Sequence, residues 1–102
     1  MQHINSSNFQ ETINEGVTVV DFFANWCGPC RMLSPLLEEC EKTYEGKVKF
    51  VKVDVDENQD LAVKFKVMSI PNLIIFKNGE VFDQHVGYMP IDEVKKFVEK
   101  AL

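Results

Sequence analysis

The sequence lacks several features that would assign it to broad classes of protein. No apolar run approaches the length of a membrane span, and lysine and arginine form no cluster anywhere. Acidic residues outnumber basic ones by 16 to 11, so the net charge is -5, which argues against a surface for nucleic acid or anionic membranes. Three cysteines are too few for a secreted disulfide scaffold. We therefore expect protein partners, with no nucleic acid and no membrane among them.

The length of the chain limits its organisation. With 102 residues and 45% hydrophobic content, it can bury one core but has no room for a second. The opening segment, Met1–Asn5, has neither the basic region nor the apolar stretch of a signal peptide. We therefore expect a single domain over residues 1–102 that acts as a monomer in the reducing cytoplasm.

The most informative stretch of the chain is Cys27-Gly28-Pro29-Cys30, which follows the apolar run Val17–Ala24. If a helix begins at Gly28, Cys27 lies just before its first turn and Cys30 lies within that turn, close enough for the sulfurs to bond. Unpaired backbone N–H groups and the positive end of the helix dipole then favour a Cys27 thiolate. Pro29 suits the opening of a helix, and Gly28 lets another backbone come close. This pattern predicts an accessible redox-active disulfide in which Cys27 is the nucleophile.

Two other interpretations of the cysteine pair are less favoured. A structural zinc site needs about four ligands, but Cys40, His3 and His85 are isolated from one another in the sequence. A purely structural disulfide would close too short a loop to stabilise the fold much. We therefore predict no metal site, and we interpret Cys40, which lies on an apolar helical stripe, as a small buried hydrophobe.

The hydrophobic pattern predicts alternating helices and strands in one α/β layer architecture. Val17–Ala24 is apolar on both faces, as in a central strand that helices cover on both sides. Asn78-Gly79 is a strong signal for a tight hairpin. The first half of the prediction is a helix opened by a Ser7–Gln10 capping box and ended by Gly16, strand Val17–Ala24, helix Gly28–Tyr44 and strand Val48–Val55 parallel to the first strand. The second half is helix Asp56–Phe65, antiparallel strands Leu73–Lys77 and Val81–Val86, and a helix that begins near Pro90–Asp92. This last helix presents on one face Ile91, Val94, Phe97, Val98, Ala101 and Leu102.

Asp21 is unusual because it places a carboxyl group in the middle of an apolar strand. Such a group is costly to bury unless it is paired or neutral. One interpretation is a structural partner such as Lys52. The other is a carboxyl group whose pKa is raised by burial and which carries protons for the cysteine pair. The residues alone leave both interpretations open.

These motifs together resemble those of the thioredoxin family over essentially all 102 residues. The resemblance rests on Val20-Asp21-Phe22, Ala24, Trp26-Cys27-Gly28-Pro29-Cys30, Pro35, Lys52, Asp56, Ile70-Pro71, Phe76-Lys77-Asn78-Gly79 and Val86-Gly87. It implies the thioredoxin fold, a three-layer α/β/α sandwich with a central mixed parallel and antiparallel sheet flanked by four helices. It also implies a general protein-disulfide reductase that binds no cofactor, acts on disulfide-containing proteins and is itself reduced by a thioredoxin reductase.

The same resemblance implies roles for individual residues. Cys27 attacks, Cys30 resolves, Asp21 carries a proton and Lys52 tunes it. Pro71 is expected to be cis and to expose the Ile70 backbone for strand-like pairing with a substrate, although a trans bond is the commoner case for any single proline. The implied substrate-binding surface consists of Trp26, Gly28, Pro29, Val55, Ile70, Pro71, Val86, Gly87 and Tyr88.

Several departures from the common family pattern and two rival functions remain. Phe23 stands where a tryptophan is frequent, and Asn72 where a threonine often follows the proline. These departures bear on partner preference. The rivals are an enzyme that forms or isomerises disulfides, which its redox potential would reveal, and a non-catalytic subunit that binds partners without using its thiols.

Overall fold

A computed structural model describes residues 1–102 as four helices and five strands. In chain order these are β1 Gln2–His3, α1 Phe9–Ile13, β2 Val17–Phe23, α2 Gly28–Thr43, β3 Val48–Asp54, α3 Gln59–Lys64, β4 Asn72–Lys77, β5 Glu80–Val86 and α4 Ile91–Glu99. The strands form one mixed sheet in the order β1-β3-β2-β4-β5. Strands β1, β3 and β2 are parallel to one another. Strand β4 runs antiparallel to β2, and β5 runs antiparallel to β4.

Strand β2 lies in the middle of the sheet because it is apolar on both faces. Val19 packs with side chains of α2 and α4, whereas Val20 and Phe22 pack with side chains of α1 and α3. The sheet therefore separates two apolar cores and is covered by two helices on each side. The predicted three-layer α/β/α sandwich is confirmed.

The parallel pairing of β2 with β3 positions two residues singled out by the sequence. As predicted for strands joined by a long helix, the two run parallel, and their register places Asp21 directly beside Lys52. Asp21 lies two residues after Val19, so both side chains are on the face of β2 that α2 covers. Tertiary pairing thus brings this carboxyl group and this amine to the helix that begins at the cysteine pair.

The hairpin prediction is confirmed by the backbone of the turn. Asn78 and Gly79 have positive φ angles of 51° and 88°, the conformation that a tight two-residue turn requires. The turn is joined to the rest of the chain because the Gly16 N–H donates to Oδ1 of Asn78 at 2.9 Å. The pairing of β4 with β5 also contains an irregularity in register between Ile75 and Phe76.

The N-terminal segment differs from the sequence prediction. Strand β1, which pairs with β3, was not predicted, because two residues are too few for an alternating pattern to be recognised. The prediction of a Ser7–Gln10 capping box is also wrong, since α1 has no side-chain cap. The helix instead follows a turn in which the side-chain oxygens of Asn5 and Asn8 accept hydrogen bonds from backbone N–H groups.

Two smaller differences concern other helices. Helix α3 begins at Gln59 rather than Asp56, because the preceding acidic residues form a turn in which Asp54 accepts the N–H groups of Asp56 and Glu57. Leu102, predicted on the apolar face of the last helix, is 56% exposed because it lies beyond the end of α4. No helix combines the length and the apolar character needed to cross a membrane.

Candidate active site

The cysteine pair lies at the N-terminus of α2, as the sequence predicts. Cys27 is the N-cap residue with an extended backbone, and Cys30 belongs to the first helical turn. Their Cα atoms are 5.3 Å apart and their sulfurs form a disulfide. The Cys30 N–H donates to Sγ of Cys27 at 3.2 Å, so the Cys27 sulfur takes the place that a polar side chain has in an ordinary helix cap. A negative charge on this sulfur would therefore face the positive end of the helix.

The disulfide is less accessible than the sequence predicts. Cys27 is only 4% exposed and Cys30 only 3%, because both pack into a small apolar cluster with Phe23 and Ala24. Val55 and Ile70 pack against this cluster. Loops that lie far apart in the sequence therefore cover most of the helix start, including the disulfide.

The loop before β4 forms one side of this cover. The Ile70–Pro71 peptide bond is cis, as expected from the family resemblance, and the carbonyl oxygen of Ile70 lies 3.8 Å from Sγ of Cys27. The buried Pro71 accepts a hydrogen bond from the N–H of Gly87 at 2.7 Å. Gly87 has a φ angle of 101°, which a residue with a side chain rarely adopts. This bond ties the end of β5 to the loop beside the disulfide.

Two members of the predicted surface are exposed apolar side chains. Trp26 is 70% exposed, and its indole N–H donates to Oδ2 of Asp56 at 2.9 Å. Val86 is 53% exposed and pairs in register with Asn72, the residue that follows Pro71. The bond to Asp56, which had no predicted partner, orients an aromatic ring that packing alone would leave free.

The remaining members of the predicted surface have less direct contacts with the disulfide. Gly28 and Pro29 are the first two residues of α2, and a Cβ built at Gly28 would meet no atom within 4 Å. Val55 packs against the disulfide cluster, whereas Tyr88 is exposed and is not part of it. The structure therefore brings Val55 into contact with the disulfide cluster and leaves Tyr88 outside that cluster.

Asp21 is buried without a hydrogen-bond partner. It is 1% exposed, and neither of its side-chain oxygens accepts or donates a hydrogen bond. Burial raises the pKa of this carboxyl group to about 7, because the charged form is poorly solvated, and the positive charge of Lys52 offsets part of the rise. Lys52 forms no ion pair with Asp21. The interpretation of Asp21 as a group satisfied by a structural partner is therefore wrong.

The amine of Lys52 has other neighbours. Its Nζ lies 3.4 Å from Oγ of Ser34 and 4.3 Å from the centre of the Phe23 ring. Neither contact was predicted, although the spacing of Ser34 from Cys30 by four residues places both on one face of a helix. A sequence pattern could thus have identified Ser34 as a neighbour of Cys30, but not as a neighbour of Lys52.

A cavity of about 350 Å³ connects these groups with the surface. Its lining comprises Phe23, Ala24, Asn25, Cys30, Arg31, Ser34, Pro35, Glu38 and Lys52. Cys30 and Lys52 thus lie on the same cavity, and Asp21 lies beside Lys52 on the neighbouring strand. The arrangement places a disulfide, a carboxyl group that titrates near neutral pH and an amine within one small region.

Comparisons with known proteins find relatives that match nearly the whole chain. The family model described as Thioredoxin matches residues 1–100. Curated proteins named thioredoxin from Staphylococcus saprophyticus and Staphylococcus haemolyticus are each 50% identical to this chain over 99 residues, which cover 97% of the chain and 95% of each relative. A solved structure of Plasmodium falciparum thioredoxin superposes with a TM-score of 0.93 at 36% identity and covers 100% of both chains.

Proposed function

The chain belongs to the thioredoxin family and is a thiol-disulfide oxidoreductase, and from this premise we propose that it reduces disulfides of other proteins with Cys27 as the attacking thiol. The observation that carries the proposal is the hydrogen bond from the Cys30 N–H to Sγ of Cys27 at 3.2 Å. Unpaired N–H groups at a helix start stabilise a negative charge. In the reduced protein they favour the thiolate of Cys27, which is the reactive form in exchange.

The reaction consists of two thiol-disulfide exchanges. The Cys27 thiolate attacks one sulfur of the substrate disulfide, forms a mixed disulfide and expels the other substrate sulfur as a thiolate. The Cys30 thiolate then attacks Sγ of Cys27 and expels the second substrate sulfur. Two electrons pass to the substrate, and the enzyme is left with the Cys27–Cys30 disulfide that the structure contains. The short separation of the two cysteines supports this second step, because the resolving thiol is already in place.

Asp21 and Lys52 serve the second exchange. Cys30 must lose a proton before it attacks, and a carboxyl group with a pKa of about 7 exchanges protons readily at neutral pH. The shared cavity of Cys30 and Lys52 supports a role for Lys52 in tuning Asp21 through its charge.

Substrates bind to the surface around the disulfide. Trp26 and Val86 supply exposed apolar area, and the absence of a side chain at Gly28 lets a substrate backbone come close. The backbone of Ile70 pairs with the substrate as an added strand, since its carbonyl group lies beside Cys27. The full surface that we propose is Trp26, Gly28, Pro29, Val55, Ile70, Pro71, Val86, Gly87 and Tyr88.

The wider setting of the protein follows from the family. We propose that a thioredoxin reductase returns the disulfide to the dithiol, so that the chain itself needs no bound cofactor beyond its redox-active Cys27–Cys30 pair. Residues 1–102 act as one domain and as a monomer in the cytoplasm. The net charge of -5 favours protein substrates over nucleic acids or membranes.

Trapping of the intermediate tests the assignment of the two cysteines. Cys30→Ser is expected to accumulate a disulfide-linked complex with insulin, a substrate with accessible disulfides, because the resolving thiol is gone. Cys27→Ser is the matched control and is expected to trap none. Non-reducing electrophoresis and mass spectrometry identify the linked residue. The proposal is wrong if the complex forms through Cys30 in the control, or if Cys30→Ser traps nothing.

A further inference from the structure

The position of the Lys52 side chain is the feature of the site that the proposed function does not explain. An amine beside an unpaired carboxyl group would normally form an ion pair with it. Here Lys52 instead contacts Ser34 of α2 and Phe23 of β2, and both oxygens of Asp21 remain without a partner. Something in the structure therefore holds the amine away from the carboxyl group.

We propose that Ser34 is a positioning residue which, with the ring of Phe23, holds the Lys52 amine at the cavity beside Cys30 and so keeps it from pairing with Asp21. The inference rests on the proposed function, because it concerns the groups that serve Cys30. Its geometry is independent of which cysteine attacks.

The helix supplies the first contact. Ser34 follows Cys30 by one turn, so both side chains point from the same face of α2 into the same cavity. The Oγ atom of Ser34 accepts from Nζ of Lys52 at 3.4 Å. This is a long hydrogen bond, so its contribution is modest. An alanine at this position would retain the helix but offer the amine no acceptor.

The aromatic ring supplies the second contact. Nζ of Lys52 lies 4.3 Å from the centre of the Phe23 ring, within the range of a cation–π interaction. Phe23 is two residues from Asp21 on the same face of β2, so an amine over the ring is drawn along the strand and away from the carboxyl group. The buried ring is itself fixed by the disulfide cluster and by an edge contact with His3.

Other charged groups near Lys52 do not account for its position. His3 pairs with Lys52 in register on β1, and Asp54 follows it on the same face of β3 but is engaged by the N–H groups of its own turn. On α2, Arg31 donates to the carbonyl oxygen of Asn25, and Glu38 lines the cavity without forming an ion pair. Glu38 is thus the only alternative carboxylate for the amine on the helix side of the cavity.

Ser34→Ala tests the inference through the titration of Asp21. We expect the pKa of Asp21, followed by carbon NMR of its carboxyl group in the oxidised protein, to fall by about half a unit, because the freed amine turns to the unpaired carboxylate. Ser34→Thr, which keeps the hydroxyl, is expected to restore the value of the original chain. Thr43→Ala removes another hydroxyl from α2, one that donates to the carbonyl oxygen of Glu39, and is expected to change nothing at Asp21.

The same substitution in a Lys52→Gln background separates positioning from a structural effect. Once the amine is gone, Ser34→Ala should leave the pKa of Asp21 unchanged, as a double-mutant cycle requires for an effect that acts through Lys52. A shift of equal size in both backgrounds would overturn the inference. So would an unchanged pKa in Ser34→Ala, or a rise, which would indicate that the amine turns to Glu38.

The titration also distinguishes this inference from the proposed function. If Cys30→Ser traps a mixed disulfide but Ser34→Ala leaves Asp21 unaffected, the assignment of the cysteines stands and the role of Ser34 is wrong. If the titration behaves as expected but trapping fails, the positioning stands and the cysteine roles are wrong.

Discussion

The buried carboxyl group of Asp21 makes stability depend on pH, and replacement by asparagine tests this directly. Asp21 is 1% exposed with no hydrogen-bond partner, and burial raises its pKa from 3.8 to about 7. The folded protein therefore holds this proton more tightly than the unfolded chain does. The stability that Asp21 contributes is therefore fully present below pH 3.8. It is lost progressively as the pH rises through about 7.

The size of the effect follows from the two pKa values. One pKa unit corresponds to about 1.4 kcal/mol, so the change from 3.8 to about 7 costs the folded state about 4 kcal/mol once the carboxylate has formed. About 3 kcal/mol of this loss falls between pH 5 and pH 8. For a chain of 102 residues this is a large part of the total free energy of unfolding.

Urea unfolding of the oxidised protein at pH 5, 6, 7 and 8 measures this loss. The disulfide keeps Cys27 and Cys30 from titrating, so they do not contribute. Asp21→Asn has nearly the same shape but no ionisable group, and its amide is as poorly partnered as the neutral acid. We expect the stability of Asp21→Asn relative to the original chain to increase by about 3 kcal/mol from pH 5 to pH 8.

A stability difference that does not depend on pH would refute the reasoning. If the difference between the two proteins is the same at pH 5 and pH 8, Asp21 does not titrate in this window in the folded state. Such a flat profile would mean that the folded protein already holds the ionised carboxylate at pH 5, and a partner such as Lys52 would have to stabilise it. This result would contradict both the effect of burial on the pKa of Asp21 and the observed position of the amine.

Two further predictions concern residues outside the site. Cys40 is fully buried, and burial raises the pKa of its thiol. In the oxidised protein at pH 8, a thiol reagent should therefore modify Cys40 far more slowly when the protein is folded than when it is unfolded in urea. Equal rates would contradict its buried position. Gly79 has a φ angle of 88° in the hairpin turn, so Gly79→Ala should lower the free energy of unfolding by about 1–2 kcal/mol in urea titrations. Gly79→Asn, whose side chain tolerates this conformation, should retain most of that stability, and an alanine variant as stable as the original would contradict the argument.

Local patterns in the sequence predicted the elements that depend on near neighbours. The start of α2 at Gly28 follows from Pro29 and the cysteine spacing, and the hairpin follows from Asn78-Gly79, because each signal acts within a few residues. The central position of β2 was predictable because its residues are apolar on both faces, and this requires cover on both sides of the sheet. Strand β1 escaped prediction because two residues carry no periodic signal.

The candidate site was predictable in its members but not in its contacts. The resemblance implied Asp21, Lys52 and Pro71 as neighbours of the cysteines, whereas the residues alone left open whether Lys52 pairs with Asp21. The structure decides against that pair, because Ser34 and Phe23 contact the amine instead. The bond from Trp26 to Asp56 likewise joins residues that only the fold brings together.

The sequence by itself predicted the chemistry of this protein, since the cysteine pair at a helix start and the resemblance to the thioredoxin family both indicate thiol-disulfide exchange. Tertiary structure alone decided how exposed the sulfurs are and how the carboxyl group is solvated. Ile70 and Val55 cover the disulfide from distant loops, and packing between the sheet and α2 removes Asp21 from water. Burial and solvation depend on atoms that lie close in space but far apart in the chain, so no local pattern encodes them.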